Sequence, residues 1–173
     1  MSKETLHGEG ENGKVTRILF VCLGNICRSP AAEGVMKALL NREGRDEVEV
    51  DSAGIGDWHV GELPDHRMRK CGARRGYDFN SRARQFRVED FDRFDYIFGM
   101  DEENRYDLES RARHAADRQK IRMLVDYVRH HSGAQTIPDP YYGGERDFEY
   151  ALDLIEDACE GLLRSLLTKG LED

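Results

Sequence analysis

Four cysteines, four prolines and one tryptophan are all that the 173 residues hold of those types, and each shortage removes a class of protein. Cys22, Cys27, Cys71 and Cys159 are too few and too scattered for the disulfide framework of a small secreted scaffold. The most apolar uninterrupted run, Ile18 to Leu23, falls far short of the ~20 residues that cross a bilayer. Positive charge is in deficit: 26 Lys and Arg stand against 34 Asp and Glu, a formal net charge of −8. The molecule as a whole therefore repels nucleic acid and acidic membrane surfaces, and any anionic ligand has to be captured locally. Met1 to Lys14 lacks the apolar stretch and the cleavage signature of a secretory signal, so residues 1–14 read as a flexible N-terminal tail. Reduced thiols and a cytoplasmic setting are expected. Internal repeats and low-complexity tracts are also missing.

What remains, residues 15–173, is the length of one domain with a sizeable core. Arg17 to Cys22 is a short β-favouring apolar run of the kind buried on both faces of a parallel sheet. Ser29-Pro30 then offers an N-cap and a first-turn proline for an amphipathic helix over Ala31 to Asn41. Further strands are expected at Val48 to Ser52, Tyr96 to Met100 and Ile121 to Val125. Helices are expected at Pro64 to Arg74, Val88 to Phe91 and Glu102 to His114, the last capped by Asp101. Gly133 to Gly144, with Pro138 and Pro140, reads as a loop; Phe148, Leu152, Ile155, Cys159, Leu162 and Leu166 then mark a long closing helix. Strands alternating with helices predict an α/β fold: a doubly wound domain with a parallel sheet.

In such folds ligands bind beyond the carboxyl ends of the strands. The first strand runs into Cys22-Leu23-Gly24-Asn25-Ile26-Cys27-Arg28-Ser29-Pro30, a Cys-(five residues)-Arg-Ser loop that opens directly into a helix. Inward-turned amides of such a loop, with the positive end of the helix dipole, make a phosphate-sized anion site. Gly24 and Asn25 are residue types that tolerate the left-handed backbone a tight curl needs. A thiol at the base of that cup, beside a guanidinium, is favoured as the nucleophilic thiolate. Arg28 can hold two phosphoryl oxygens while Cys22 attacks phosphorus in line, and the Ser29 hydroxyl can cap the helix or bond the thiolate. The leaving oxygen then needs an acid. Asp139, braced by Pro138 and Pro140, is the best-placed residue, and Tyr141 and Tyr142, with Trp58 as the opposite wall, can form a deep slot suited to phosphotyrosine.

With these residues in place, the chain resembles the low-molecular-weight protein tyrosine phosphatases. The likeness is carried by Val21 to Pro30 with Ala32-Glu33, by Asp51-Ser52-Ala53, Ala83-Arg84-Gln85, Phe94-Asp95-Tyr96-Ile97 and Met100-Asp101, and by Asp139-Pro140-Tyr141-Tyr142-Gly143 with Asp147-Phe148. It spans about Thr16 to the end of the closing helix. It implies a four-stranded parallel sheet flanked by helices on both faces, no cofactor or metal, and hydrolysis of phosphotyrosine through a phosphocysteine on Cys22. It further implies Arg28 as phosphate binder, Asp139 as acid and then base, and Leu23, Trp58 and Tyr141 lining the slot, with Gly24, Ile26, Cys27 and Ser29 around the phosphate. Asn25 would hold the loop through bonds that include Ser52. Cys27 resembles a second loop cysteine that forms a reversible disulfide with the nucleophile. Tyr141 and Tyr142 resemble positions phosphorylated in some members, which makes a cognate tyrosine kinase a candidate partner beside the phosphotyrosine protein substrate. One departure stands out: Ser81 occupies a place where many members carry a histidine that supports the loop asparagine, so weaker support is expected there.

Other functions fit less well. A thiol-dependent arsenate reductase of the same fold needs a close cysteine pair in the region Ser81 to Phe98, which has no cysteine. Phosphoarginine phosphatases typically carry threonine where this loop has Ile26. A receiver domain needs acidic residues after its first strand, and a non-catalytic phosphotyrosine-binding module would have lost the nucleophile, the arginine or the acid. A zinc site would need two partners beyond Cys22 and Cys27, and His130-His131 is an isolated couple.

Overall fold

The alternation of side chains along β1 (Thr16–Cys22) sets the layering of the domain. Ile18, Phe20 and Cys22 face one apolar cluster, and Leu19 and Val21 face another. A strand buried on both faces must lie inside a sheet covered on both sides. The computed structural model, which describes residues 14–168, 170 and 171, has that arrangement. The tail expected over residues 1–14 lies, but for Lys14, outside the described residues.

Four strands form one parallel sheet in the order β2-β1-β3-β4, with β2 at Val48–Gly54, β3 at Tyr96–Gly99 and β4 at Ile121–Met123. The chain leaves β1 toward one edge and returns to its other side, so the switch point falls between β1 and β3, where Cys22 ends its strand. In register, Cys22 lies beside Gly54 and Val21 beside Gly99. One face is covered by α1 (Arg28–Arg42) and the closing helix, whose Val35, Met36, Phe148, Leu152 and Ile155 are buried there. α2 (His66–Arg74) packs on that side through Met68 and Cys71. The opposite face is closed by Phe91 of α3 (Asp90–Arg93) and Leu108 of α4 (Glu102–Arg111).

Apart from shifts of one or two residues at element ends, as where α2 starts at His66 and α3 runs Asp90–Arg93, three elements differ from the sequence expectation. The charged helix expected over Glu102 to His114 stops at Arg111, and α5 (Ala115–Lys120) follows. The break is stabilised by Asp117, which accepts bonds from the Arg113 backbone N–H and guanidinium and draws the chain into a new start. The strand expected to reach Val125 ends at Met123, and a 3₁₀ turn over Leu124–Tyr127 carries the remaining buried apolar residues. Burial alone does not tell these two backbones apart. α1 begins at Arg28 rather than after a Ser29 cap, which places Pro30 as its third residue. The closing helix α6 spans Glu145–Thr168.

Candidate active site

Residues 23–27 curl around the end of β1 and pass straight into α1. Three carbonyls along residues 22–26 are bonded from outside the loop: Ile55 N–H donates to the Cys22 carbonyl at 2.9 Å, Gly56 N–H to Leu23 at 2.9 Å and Asp65 N–H to Ile26 at 2.7 Å. With those carbonyls held outward, the loop can turn amides toward its centre, the geometry of an anion nest. Asn25 alone among the described non-glycine residues has a positive φ, 58°. Gly24 does not share it; its hydrogen side instead faces the His59 ring, 3.2 Å from where a Cβ would stand.

The Cys22 sulfur is buried at the base of this cup. Ser29 Oγ lies 3.1 Å away and the Ser29 backbone N–H donates to the sulfur at 3.4 Å. Ser29 thus bonds the nucleophile and does not cap the helix, since α1 has no side-chain cap. Asn25 stands behind the loop, not in its lining: its amide donates to Ser29 Oγ at 2.7 Å and Ser52 Oγ at 3.0 Å, and its carbonyl accepts from Arg84 N–H at 2.9 Å. Ser52 donates in turn to buried Glu33 at 2.6 Å. Ser81 takes no part. Half-buried and short, it makes no hydrogen bond to this network among the described residues, and Asn25 is held by Ser29, Ser52 and Arg84, with Glu33 behind Ser52.

Arg28 is buried, and its guanidinium is aimed by three contacts. Nη1 donates to Asp101 Oδ2 at 2.7 Å and to the Ile137 carbonyl at 2.9 Å, and Nη2 lies 3.6 Å from Asp139 Oδ2. Its Nε is buried without a partner among the described residues, a donor left over for an anion in the cup. Burial by itself would lower the pKa of Arg28, but the Cys22, Asp101 and Asp139 charges outweigh it and hold the group more firmly protonated than usual.

A cavity of about 310 Å³ opens over the loop. Cys22, Leu23, Ile26, Arg28, Trp58 and Asp139 are among its lining residues, as are Gly24, Cys27 and Tyr141. The expected slot is therefore assembled from three segments far apart in sequence. Asp139 reaches it on a loop tied to the residue just after β3 by the Ile137 N–H to Met100 carbonyl bond, 3.0 Å, and its Oδ1 accepts from Tyr141 N–H at 3.1 Å. Trp58 is 64% exposed and forms a rim more than a sealed wall. Arg67 lies over the Tyr141 ring at 5.4 Å. Tyr142 joins Tyr141 along the lining, and one further lining residue was not singled out by sequence: His59, whose Nδ1 is 2.9 Å from Glu62 Oε1. No motif announced His59; its place after Trp58 in the same loop was the available signal.

Cys27 is buried beside this pocket as a free thiol, and burial together with the neighbouring Cys22 charge pushes its pKa strongly upward. Cys71 and Cys159 are free and buried in the core, away from the cavity. No group of three or more His, Cys, Asp or Glu side chains among the described residues could hold a metal ion. Arranged this way, the site can hold a phosphoryl group, attack it from sulfur and protonate the departing oxygen.

Comparison with known proteins places this geometry. The family model described as low molecular weight phosphotyrosine protein phosphatase matches residues 17–171. The low molecular weight protein-tyrosine-phosphatase YfkJ of Bacillus subtilis is 44% identical over 151 residues, covering 86% of this chain and 94% of that protein. The low molecular weight phosphotyrosine protein phosphatase of Gallus gallus is 40% identical over 153 residues, covering 87% and 96%. Among solved structures, the protein tyrosine phosphatase of Entamoeba histolytica with Hepes in its active site superposes with a TM-score of 0.84 at 45% identity, covering 90% of this chain and 99% of that one.

Proposed function

Since the chain belongs to the low molecular weight phosphotyrosine protein phosphatase family and is a protein-tyrosine phosphatase, we propose that Cys22, Arg28 and Asp139 carry its reaction. The observation that supports this most is the convergence of the Cys22 sulfur, the orphaned Arg28 Nε and the Asp139 carboxylate on one cavity. A phosphoryl group seated on the loop amides and Arg28 presents phosphorus to the Cys22 thiolate, which forms the S–P bond as the P–O bond to the tyrosine oxygen breaks. Asp139 in its protonated form hands its proton to that oxygen. Water then attacks the phosphocysteine, the Asp139 carboxylate takes the water proton, and the S–P bond breaks to return the thiolate and release phosphate. Ser29 Oγ, 3.1 Å from the sulfur, stabilises the leaving thiolate. Leu23, Trp58 and Tyr141 would flank the aryl ring.

Cys27 would protect the nucleophile. If peroxide oxidises Cys22 to a sulfenic acid, the negative charge that helps hold the Cys27 thiol protonated is gone. Cys27 sulfur can then attack, forming the disulfide with loss of water, to be restored by a thiol reductant. The substrate is a phosphoprotein. Free thiols at all four cysteines support a cytoplasmic setting, and among the described residues no helix is long and apolar enough to cross a membrane. Tyr142, 95% exposed, is open to a tyrosine kinase, whereas Tyr141 is partly covered.

The test is hydrolysis of p-nitrophenyl phosphate and of a phosphotyrosine peptide in EDTA. Turnover that persists in EDTA and disappears in Cys22→Ser supports the reading; a Cys22→Ser variant with wild-type turnover overturns it.

A further inference from the structure

Lys37 sits on α1 with its side chain 56% exposed, yet its ammonium is 2.6 Å from Oε2 of Glu33, a carboxylate buried one turn earlier. The other Glu33 oxygen accepts the Ser52 hydroxyl hydrogen at 2.6 Å. With that hydrogen committed, Ser52 Oγ faces Asn25 only as an acceptor, and it takes one Asn25 amide hydrogen at 3.0 Å. The second amide hydrogen goes to Ser29 Oγ at 2.7 Å, while Arg84 N–H on Asn25 Oδ1 forbids the flipped amide. Ser29 Oγ, already an acceptor from Asn25, has its own hydrogen to give to the Cys22 sulfur, 3.1 Å away, or to the Ala53 carbonyl at 3.4 Å, and a thiolate is the stronger, charged acceptor of the two. An unbroken line of five hydrogen bonds thus joins a surface ammonium to the reacting atom.

We propose that Lys37 is a positioning residue for the phosphatase reaction: by compensating the buried Glu33 charge it keeps Glu33 a pure acceptor and so directs the Ser29 hydroxyl hydrogen at the Cys22 thiolate. The inference rests on the reading of Cys22 as nucleophile. An unpaired buried carboxylate is costly, and it is relieved by picking up a proton or by drawing in water. Either outcome weakens the pull on Ser52 and, through Asn25, on Ser29. Most surface ion pairs contribute little because both partners are solvated. This pair differs in that one partner is buried and is itself tied to the phosphate loop. Any change that removes the Lys37 charge, acylation of its Nζ included, is expected to act in the same way.

The experiment is a double-mutant cycle on the full chain with p-nitrophenyl phosphate. Lys37→Met and Lys37→Gln are each expected to lower kcat about fivefold, the size of one partly buried charge interaction, with KM changed less than about twofold. Lys37→Arg is expected to restore kcat. In a Ser29→Ala background, where the line to sulfur is already cut, Lys37→Met is expected to change kcat by less than about 1.5-fold. Wild-type kcat in both charge-removing variants overturns the proposal, and so does an undiminished fivefold loss in the Ser29→Ala background, which would mark a merely structural role. Failure of the underlying reading shows separately, as full activity in Cys22→Ser.

Discussion

Asp101 Oδ2 accepts from Arg28 Nη1 at 2.7 Å while its Oδ1 accepts from Asn104 N–H at 2.8 Å, so one carboxylate both aims the buried guanidinium and caps α4. The two roles separate by mutation. Asp101→Asn keeps an oxygen for the cap but replaces the charge facing Arg28, and is expected to lower kcat/KM about 10- to 100-fold with a stability change under about 1 kcal/mol. Asp101→Ala should show the same catalytic loss and a further ~1 kcal/mol of destabilisation from the missing cap. Steady-state kinetics and urea titration of the two variants check this; an Asp101→Asn enzyme with wild-type kcat/KM would show that the Ile137 carbonyl suffices to orient Arg28.

Asp139 lies 3.6 Å from Arg28 Nη2 and lines the cavity, a position from which it reaches the leaving oxygen of a bound ester. A general acid matters most when the departing alcohol is a poor leaving group. Asp139→Ala is therefore expected to slow a phosphotyrosine peptide about 100-fold or more and p-nitrophenyl phosphate less than about tenfold. An equal loss on both substrates would remove Asp139 from the acid role and leave it as a partner of Arg28.

Gly54 ends β2 pressed against the phosphate loop: a Cβ there would stand 2.9 Å from the Gly24 carbonyl carbon and 3.0 Å from Asn25 N. The third obstacle, Asn25 Cβ at 3.0 Å, is fixed to the same backbone, so the loop itself must shift. Gly54→Ala is expected to cut kcat/KM about tenfold or more and to cost ~1–3 kcal/mol. Gly34→Ala is a control for overpacking, because its Cβ would meet the Phe79 ring at 2.4 Å and neither residue lines the cavity. That variant should lose stability with little change in kcat. Equal kinetic losses in the two would attribute the Gly54 effect to general destabilisation.

The contrast between Gly54 and Cys22 shows where the sequence was legible. Cys22, Arg28 and the helix start lie within seven consecutive residues, and a strand-loop-helix with that chemistry can be read without coordinates. The sheet and its two covered faces were equally readable, because β1 is apolar at every position from Ile18 to Cys22. Gly54, Glu33, Asp101 and His59 act through contacts across elements, and no local spacing announces them. Asp101 looked like a helix cap, which it is, and nothing in its neighbourhood pointed to Arg28 73 residues earlier. The break between α4 and α5 escaped for a related reason: Asp117 reaches back to Arg113 by side-chain chemistry that a periodicity pattern does not register.

Asp157 of α6 collects three donors from the preceding loop: Arg129 N–H at 3.0 Å, His130 N–H at 2.9 Å and His131 Nδ1 at 2.8 Å. Burial alone would raise its pKa, but these bonds prevail and lower the carboxyl from 3.8 to about 2. A depressed carboxylate contributes stability that is complete above its unfolded pKa and is lost as pH falls through the folded value. The contribution here is about 2 kcal/mol near neutrality, declining between about pH 4 and pH 2. Asp157→Asn is thus expected to be about 2 kcal/mol less stable than the parent at pH 7, with the gap narrowing as pH falls toward 3. Urea denaturation of both proteins at pH 7, 5 and 3 measures the gap directly; a difference that stays constant across that range would show that the loop is held by Asp157 shape and not by its charge.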